Sequence, residues 1–131
     1  RFRLQILSPD RIFYTNDVTM VEYNTVHGEV GVYAEHIPTT QIIAPGRLTI
    51  TEPGGQKTAA LHSGFVEITK EKVTILAEAV EWPQDIDTAR ARLARDRAQQ
   101  TLAAEASEQE HLLAEEALKR ALVRLDMAGE L

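Results

Sequence analysis

The chain has 131 residues, of which 44% are hydrophobic and 26% charged, with no cysteine and a formal net charge of −6. Length and composition fit a small globular protein and not a disordered one. The missing cysteines exclude disulfides, thiolate zinc sites and a cysteine nucleophile, and the acidic balance argues against nucleic acid as a main partner, because phosphate binding needs a basic face.

No apolar run approaches the roughly 20 residues that span a bilayer. Any membrane association is therefore expected through partners, without direct insertion. No signal-peptide pattern opens the chain, and it begins on Arg1 and not Met, as expected of a sequence whose true start lies upstream.

The chain changes character near residue 84. All five prolines lie at or before Pro83, and all the aromatics lie at or before Trp82. From Asp85 onward the residues are mostly Ala, Leu, Arg, Glu, Asp and Gln, which favour helix, whereas Gly, Pro and aromatics punctuate and pack β structure. The reading is a β domain over 1–84 and a helical domain over 85–131. Charge does not mark the boundary.

The first part reads as many short strands. Phe2, Leu4 and Ile6 alternate with Arg3, Gln5 and Leu7; Leu48 and Ile50 alternate with Thr49 and Thr51. Val18, Met20 and Tyr23, then Phe65, Val66 and Ile68, then Val73, Ile75 and Leu76 form further runs. Turn signals separate them at Pro9-Asp10, Asn16-Asp17, Pro45-Gly46, Gly54-Gly55 and Lys70-Glu71. Gly54-Gly55, between Leu48–Glu52 and Gln56–Leu61, is a hairpin signal. Strands this short and closely spaced predict a sandwich or flattened barrel.

His27, Glu29, His36 and His62 admit a metal site on this β scaffold, since imidazole and carboxylate suit zinc or iron. The alternative is that His27-Gly28-Glu29-Val30-Gly31-Val32 is a turn whose glycines set the backbone, exposed for partner contacts. No nucleophile elbow, Ser–His–Asp set or glycine-rich phosphate loop is present.

The second part reads as two helices. Asp85 is the expected N-cap after Trp82-Pro83, with Asp87 in the first turn. Ser107 with Glu110 predicts a capping box that opens a second helix. On that helix Ala114, Leu118, Ala121, Leu125 and Ala128 recur as a narrow stripe, matched on the first by Ala91, Ala94, Ala98 and Leu102. Small residues bury little area, so the hairpin is expected to be weakly packed: permanently docked or able to move.

A tight turn near Ala106 makes the helices antiparallel. Arg124 then falls opposite Thr88 and Arg120 opposite Arg92, near Asp87 and Arg90. Three guanidinium groups with one carboxylate nearby fit a polyphosphate, which arginine forks bind in bidentate fashion. Asp87 and Glu81 are then candidate acceptors for a base amino group or ribose. The alternative is ordinary surface ion pairing, Asp87 with Arg90 and Glu116 with Arg120. These readings leave a free-standing ATP-sensing module and a metal-dependent β enzyme as open classes.

Several segments carry a resemblance. Val26-His27-Gly28-Glu29-Val30-Gly31-Val32, then Glu35-His36-Ile37-Pro38 and Pro45-Gly46, resemble the epsilon subunit of bacterial rotary F-type ATP synthase. Ser8-Pro9-Asp10, Ser63-Gly64-Phe65-Val66-Glu67-Ile68 and Val73-Thr74-Ile75-Leu76-Ala77-Glu78 fit as well, and together they cover essentially the whole chain. The chain departs from the family at Glu35, where Gly is usual, and at His62, where Ser or Gly is common.

The resemblance implies an all-β sandwich of about ten strands followed by a C-terminal antiparallel two-helix hairpin. It implies a non-catalytic subunit of a complex that makes ATP from ADP with a proton gradient. The sandwich would bind the gamma subunit and the c-ring in the central stalk, with Glu29 and His36 near those contacts. The extended hairpin would reach the alpha and beta subunits and block ATP hydrolysis; folded back, it would release the block. The location implied is peripheral, on the cytoplasmic face of the cell membrane. Ile86-Asp87-Thr88-Ala89-Arg90-Ala91 is similar to the ATP-binding motif of Bacillus-like members, and Arg120 and Arg124 match their second-helix arginines. Arg90, Arg120 and Arg124 would then hold phosphates, with Arg97 a further candidate, and Glu81, Ile86, Asp87 and Ala91 would surround the adenine. ATP is thus expected as a regulatory ligand, with participation of Mg2+ left open.

Overall fold

A computed structural model describes residues 1–131 as two compact units, Arg1–Glu81 and Trp82–Leu131. The first holds ten strands: β1 (Phe2–Ser8), β2 (Arg11–Val18), β3 (Met20–Thr25), β4 (Gly28–Tyr33), β5 (Thr39–Ile43), β6 (Gly46–Glu52), β7 (Gly55–Leu61), β8 (Gly64–Ile68), β9 (Lys72–Ala77) and β10 (Val80–Glu81). They form one hydrogen-bonded path, β10-β7-β6-β3-β5-β8-β9-β1-β2, with β4 on the other edge of β3. Every pairing is antiparallel except β1 with β9.

The path folds over on itself to make the expected sandwich. β2, at the end of the path, returns beside β6, where the Tyr14 hydroxyl and the Asn16 amide both donate to Glu52 Oε2. An otherwise open edge is thereby partly covered. Alternation places Phe2, Leu4, Ile6, Val66, Ile68, Val73 and Ile75 in the core. Gly64 is held at φ +156, and a Cβ there would lie 2.0 Å from the Leu76 carbonyl oxygen. The Ser63-Gly64-Phe65 segment therefore needs glycine for close strand approach.

Two expectations for the strands are corrected. Asn16-Asp17 is no turn: β2 runs through it to Val18. Both side chains are satisfied in strand, Asn16 on Glu52 and Asp17 in an ion pair with Arg3 at 3.1 Å. The stretch from Gly28 to Val32 is likewise strand β4, and only Val26-His27 turns. Gly28, at φ +119, carries the left-handed conformation, while Gly31 takes an ordinary strand position opposite Glu22. Glu35 is the sole non-glycine residue with positive φ, at 63°. That accounts for the glycine usual in the resembled family at this position.

The second unit begins with a 3-10 turn, Pro83–Asp85, followed by α1 (Thr88–Ala103) and α2 (Glu108–Met127). The N-cap of α1 is Asp87, not Asp85, and its carboxylate accepts from the Arg90 N–H at 3.1 Å. Pro83 fixes a short turn first and Ile86 is extended, which moves the cap two residues along. The Ser107–Glu110 capping box is present in both directions. At the far end Gly129, at φ +77, closes α2: the Glu130 N–H donates to Leu125 O and the Gly129 N–H to Asp126 O, a Schellman pattern.

Candidate nucleotide site and partner surfaces

The hairpin is a thin antiparallel pair. Its turn is pinned by the Ala104 N–H donating to Thr101 O and by the His111 ring 3.0 Å from Ala104 O. The buried residues of the two helices are Ala91 and Ala98 on α1, with Ala114, Ala121 and Leu125 on α2. Leu125 is fully buried. Ala94, Leu102, Leu118 and Ala128 are half-buried, so the stripe is narrower than its sequence pattern.

Four arginines border this stripe in one relation. Arg90 precedes Ala91, Arg97 precedes Ala98, Arg120 precedes Ala121, and Arg124 precedes Leu125. One residue back along a helix turns the side chain by about 100°. Two antiparallel helices are related by a two-fold axis perpendicular to both, so the same turn on each leads to the same side of the pair. All four arginines therefore rim one side of the hairpin. Arg120 and Arg124 are half-buried, whereas Arg90 and Arg97 are exposed.

The pairing offered as an alternative does not form. Arg90, Arg97 and Arg120 make no ion pair; only the backbone N–H of Arg90 reaches Asp87. An ion pair the sequence reading missed joins Arg92 to Glu130. It ties the start of α1 to the end of α2, because the turn at Gly129 brings Glu130 back. A rim on which Arg90, Arg97 and Arg120 make no ion pair favours an anion, and arginine is the side chain suited to phosphate oxygens. Ile86 and Ala91 are buried beside the exposed Asp87 cap.

In the first unit, Glu29 and His36 do not share a site. Glu29 stands at the start of β4, in a cleft of about 470 Å³ with Glu22, Arg47 and Thr49. His36 lies beyond the other end of β4, in a cleft of about 760 Å³ with Phe2, Ile37 and Lys70. Its ring stands edge-on to Phe2 at 5.3 Å, and neither ring nitrogen has a hydrogen-bond partner. His62 is elsewhere again, with Nε2 3.3 Å from Glu81 Oε1. No group of three or more His, Cys, Asp or Glu is placed to hold a metal ion, so the metal reading of these residues has no geometry to rest on.

A feature that strand order alone creates is an apolar row on the outer sheet face. Ile42 pairs with Phe65, Phe65 with Leu76, Leu76 with Leu7 and Leu7 with Ile12. Ile42 and Ile12 are 60% and 61% exposed and Phe65, next to Ile42, is 43% exposed, so the row is open at both ends, with Leu76 and Leu7 half-buried between them. Across five strands it runs about 19 Å. Contiguous exposed apolar surface of this kind marks interaction sites.

A β-sandwich followed by a helical domain is the class of chain formed by the delta and epsilon subunits of ATP synthase. The beta-sandwich domain model of the ATP synthase delta/epsilon chain matches residues 1–83, and its long alpha-helix domain model matches residues 84–129. The chain belongs to the ATP synthase delta/epsilon chain family. It is 45% identical to the ATP synthase epsilon chain of Caldanaerobacter subterraneus subsp. tengcongensis, covering 98% of this chain and 94% of that one. It is 42% identical to the epsilon chain of Shouchella clausii, covering 96% and 93%. Among solved structures, a chain of the Euglena gracilis mitochondrial ATP synthase (OSCP/F1/c-ring) superposes with TM-score 0.83 at 24% identity, covering 98% of this chain and 81% of that one. At that identity the likeness bears on fold alone. No helix is long and apolar enough to cross a membrane.

Proposed function

We propose that this chain is the epsilon subunit of the central stalk, coupling proton flow to ATP synthesis, and that its hairpin inhibits ATP hydrolysis and binds ATP when folded. The chain carries no catalytic step itself. Two surfaces divide the work. The outer row Ile12–Leu7–Leu76–Phe65–Ile42 is the seat for the gamma subunit. Glu29 and His36, at opposite ends of β4, mark separate contacts with gamma and the c-ring. Attachment through these partners holds the chain peripherally at the cytoplasmic face of the cell membrane, and the extended hairpin reaches the alpha and beta subunits.

The observation that carries the nucleotide reading is the single-sided rim of Arg90, Arg97, Arg120 and Arg124 beside the Asp87 cap. Arg90, Arg120 and Arg124 hold the phosphates, with Arg97 further along; Ile86, Asp87 and Ala91 are at the base, and Glu81 accepts from the base amino group. Energetics favour a switch. The four buried seam alanines contribute about 0.8 kcal/mol per methyl, roughly 3 kcal/mol together. A ligand at a hundred times its dissociation constant favours the state it binds by about 2.7 kcal/mol. ATP bound to the folded hairpin therefore adds a stabilisation comparable with that of the alanine seam, enough to shift the balance toward the folded state.

Titrating the full chain with ATP, with and without Mg2+, tests the site. Arg120→Ala with Arg124→Ala should weaken binding by at least about a hundredfold, since each charged hydrogen bond contributes about 1.5–3 kcal/mol. Binding that survives both changes would place the site elsewhere. Failure of the chain to bind gamma, with ATP binding intact, would favour a free-standing ATP sensor over a stalk subunit.

A further inference from the structure

Gly31 is a glycine that its own strand does not require. Gly28, Gly46, Gly55 and Gly64 each open a strand, and each has a local reason. Gly28, Gly55 and Gly64 are held at positive φ, and a Cβ on Gly46 would run into the Asn24 side chain. Gly31 instead lies inside β4, in regular register opposite Glu22 and without positive φ. A Cβ there would meet Glu22 Cγ at 3.7 Å and Met20 Sδ at 3.8 Å, which are ordinary contact distances. A side chain would fit, and glycine inside a strand costs stability relative to alanine. A strand glycine with no local cause marks a place where another chain comes close.

Its effect is to open the surface. Alternation turns Val30 and Val32 inward and Glu29, Gly31 and Tyr33 outward. Gly31 thereby lines the cleft of about 470 Å³ that also holds Glu22, Glu29, Arg47 and Thr49. β4 is hydrogen-bonded on one side only, to β3. It carries neither lysine nor proline, and its register with β3 runs without a bulge. The edge beside the cleft is thus open to a partner.

Charge sets the chemistry of that partner. Glu22 and Glu29 are exposed and neither carboxylate has a hydrogen bond or ion pair, whereas Arg47, the cation of the cleft, is itself engaged. Sheet position sets its source. The apolar row proposed for gamma lies on the outer face of β5, β8, β9, β1 and β2, and the cleft lies on that of β3, β4 and β6. Gamma seated on the row leaves the cleft to the other stalk partner.

We propose that the hollow at Gly31 seats a loop of the c-ring that brings a lysine or arginine beside Glu22 and Glu29, and that the missing side chain at Gly31 is what admits the loop. This rests on the reading of the chain as a stalk subunit in contact with the c-ring. Gly31 is kept as glycine for the contact, at a cost to the strand.

The test titrates the full chain against detergent-solubilised c-rings and, separately, against gamma. Gly31→Ala and Gly31→Val fill the hollow in two steps. Neither should lower the thermal midpoint, and Gly31→Ala should raise it by a few degrees. Both should weaken ring binding, Gly31→Val by about tenfold or more, as overfilling a close contact does, and both should leave gamma binding unchanged. Opposite effects on stability and on binding separate a contact from damage to the fold. Gly31→Ala carries the test alone if the valine chain does not fold. Ring binding by the wild type should weaken as salt rises, and Glu22→Gln with Glu29→Gln should remove most of that dependence. Folded Gly31 variants that bind the ring like the wild type overturn this inference and leave the stalk reading intact. Equal loss of ring and gamma overturns the assignment of the hollow to the ring. Salt-independent binding by the wild type overturns the basic chemistry of the loop. A wild type that binds gamma and no ring overturns the c-ring contact and this inference with it.

Discussion

Leu125→Ala is the change that most directly probes how the hairpin is held. Leu125 is 0% exposed and is the sole large side chain among the buried residues of α1 and α2; the others are Ala91, Ala98, Ala114 and Ala121. Truncating a buried leucine costs about 2–5 kcal/mol, because lost transfer energy adds to the cavity left behind. The four alanine methyls supply roughly 3 kcal/mol in all. One substitution thus removes about as much as all the buried alanines provide. At about 3 kcal/mol the opening equilibrium of the helices shifts by roughly a hundredfold. Amide hydrogen exchange across residues 88–127 reads this directly, as faster exchange along both helices. A change of less than about fivefold would refute the reasoning, since it would mean the seam is not what protects them.

Further expectations follow from particular residues. Glu35→Gly should stabilise the chain by about 1 kcal/mol, the cost of a non-glycine left-handed residue less the entropy glycine adds to the unfolded chain; chemical denaturation measures it. Ser107→Ala should cost about 1 kcal/mol by removing the cap of α2, read as faster exchange in its first turn. Hydrogen bonds from Ser107 hold the Glu110 carboxyl below its ordinary range. Its contribution is therefore present above the unfolded carboxylate value and lost as pH falls through the folded one. Burial pushes Tyr23 up to about 12, so its contribution is present below about pH 10, the ordinary phenol value, and is lost as pH rises through 12; Tyr23→Phe should flatten that alkaline decline. Phe65→Glu, within the exposed apolar row, should leave the thermal midpoint nearly unchanged and weaken binding to gamma at least tenfold in a pull-down titration.

Local signals were legible in the sequence, and distant pairings were not. The alternation of Phe2, Leu4 and Ile6, the Gly54-Gly55 hairpin and the Ser107–Glu110 box each act within a few residues. Asn16-Asp17 misled because turn-prone side chains can also sit in a strand when Glu52 and Arg3 satisfy them from afar. The cap moved to Asp87 because the turn at Pro83 takes up the residues before it. The arginine rim was half legible. Arg90, Arg120 and Arg124 were brought together by spacing, but the place of Arg97 on the same side needed the buried seam as a reference. The outer row from Ile42 to Ile12, the Arg92–Glu130 pair and the His62–Glu81 pair were invisible, since each depends on which strands or helix ends the fold brings together.

The most direct measurement is ATP hydrolysis by the complete synthase carrying this chain either whole or truncated after residue 84. Hydrolysis at low ATP should rise several-fold on truncation, and the difference should shrink as ATP increases and the folded hairpin is favoured. Equal hydrolysis by the two complexes at every ATP concentration would contradict a regulatory hairpin.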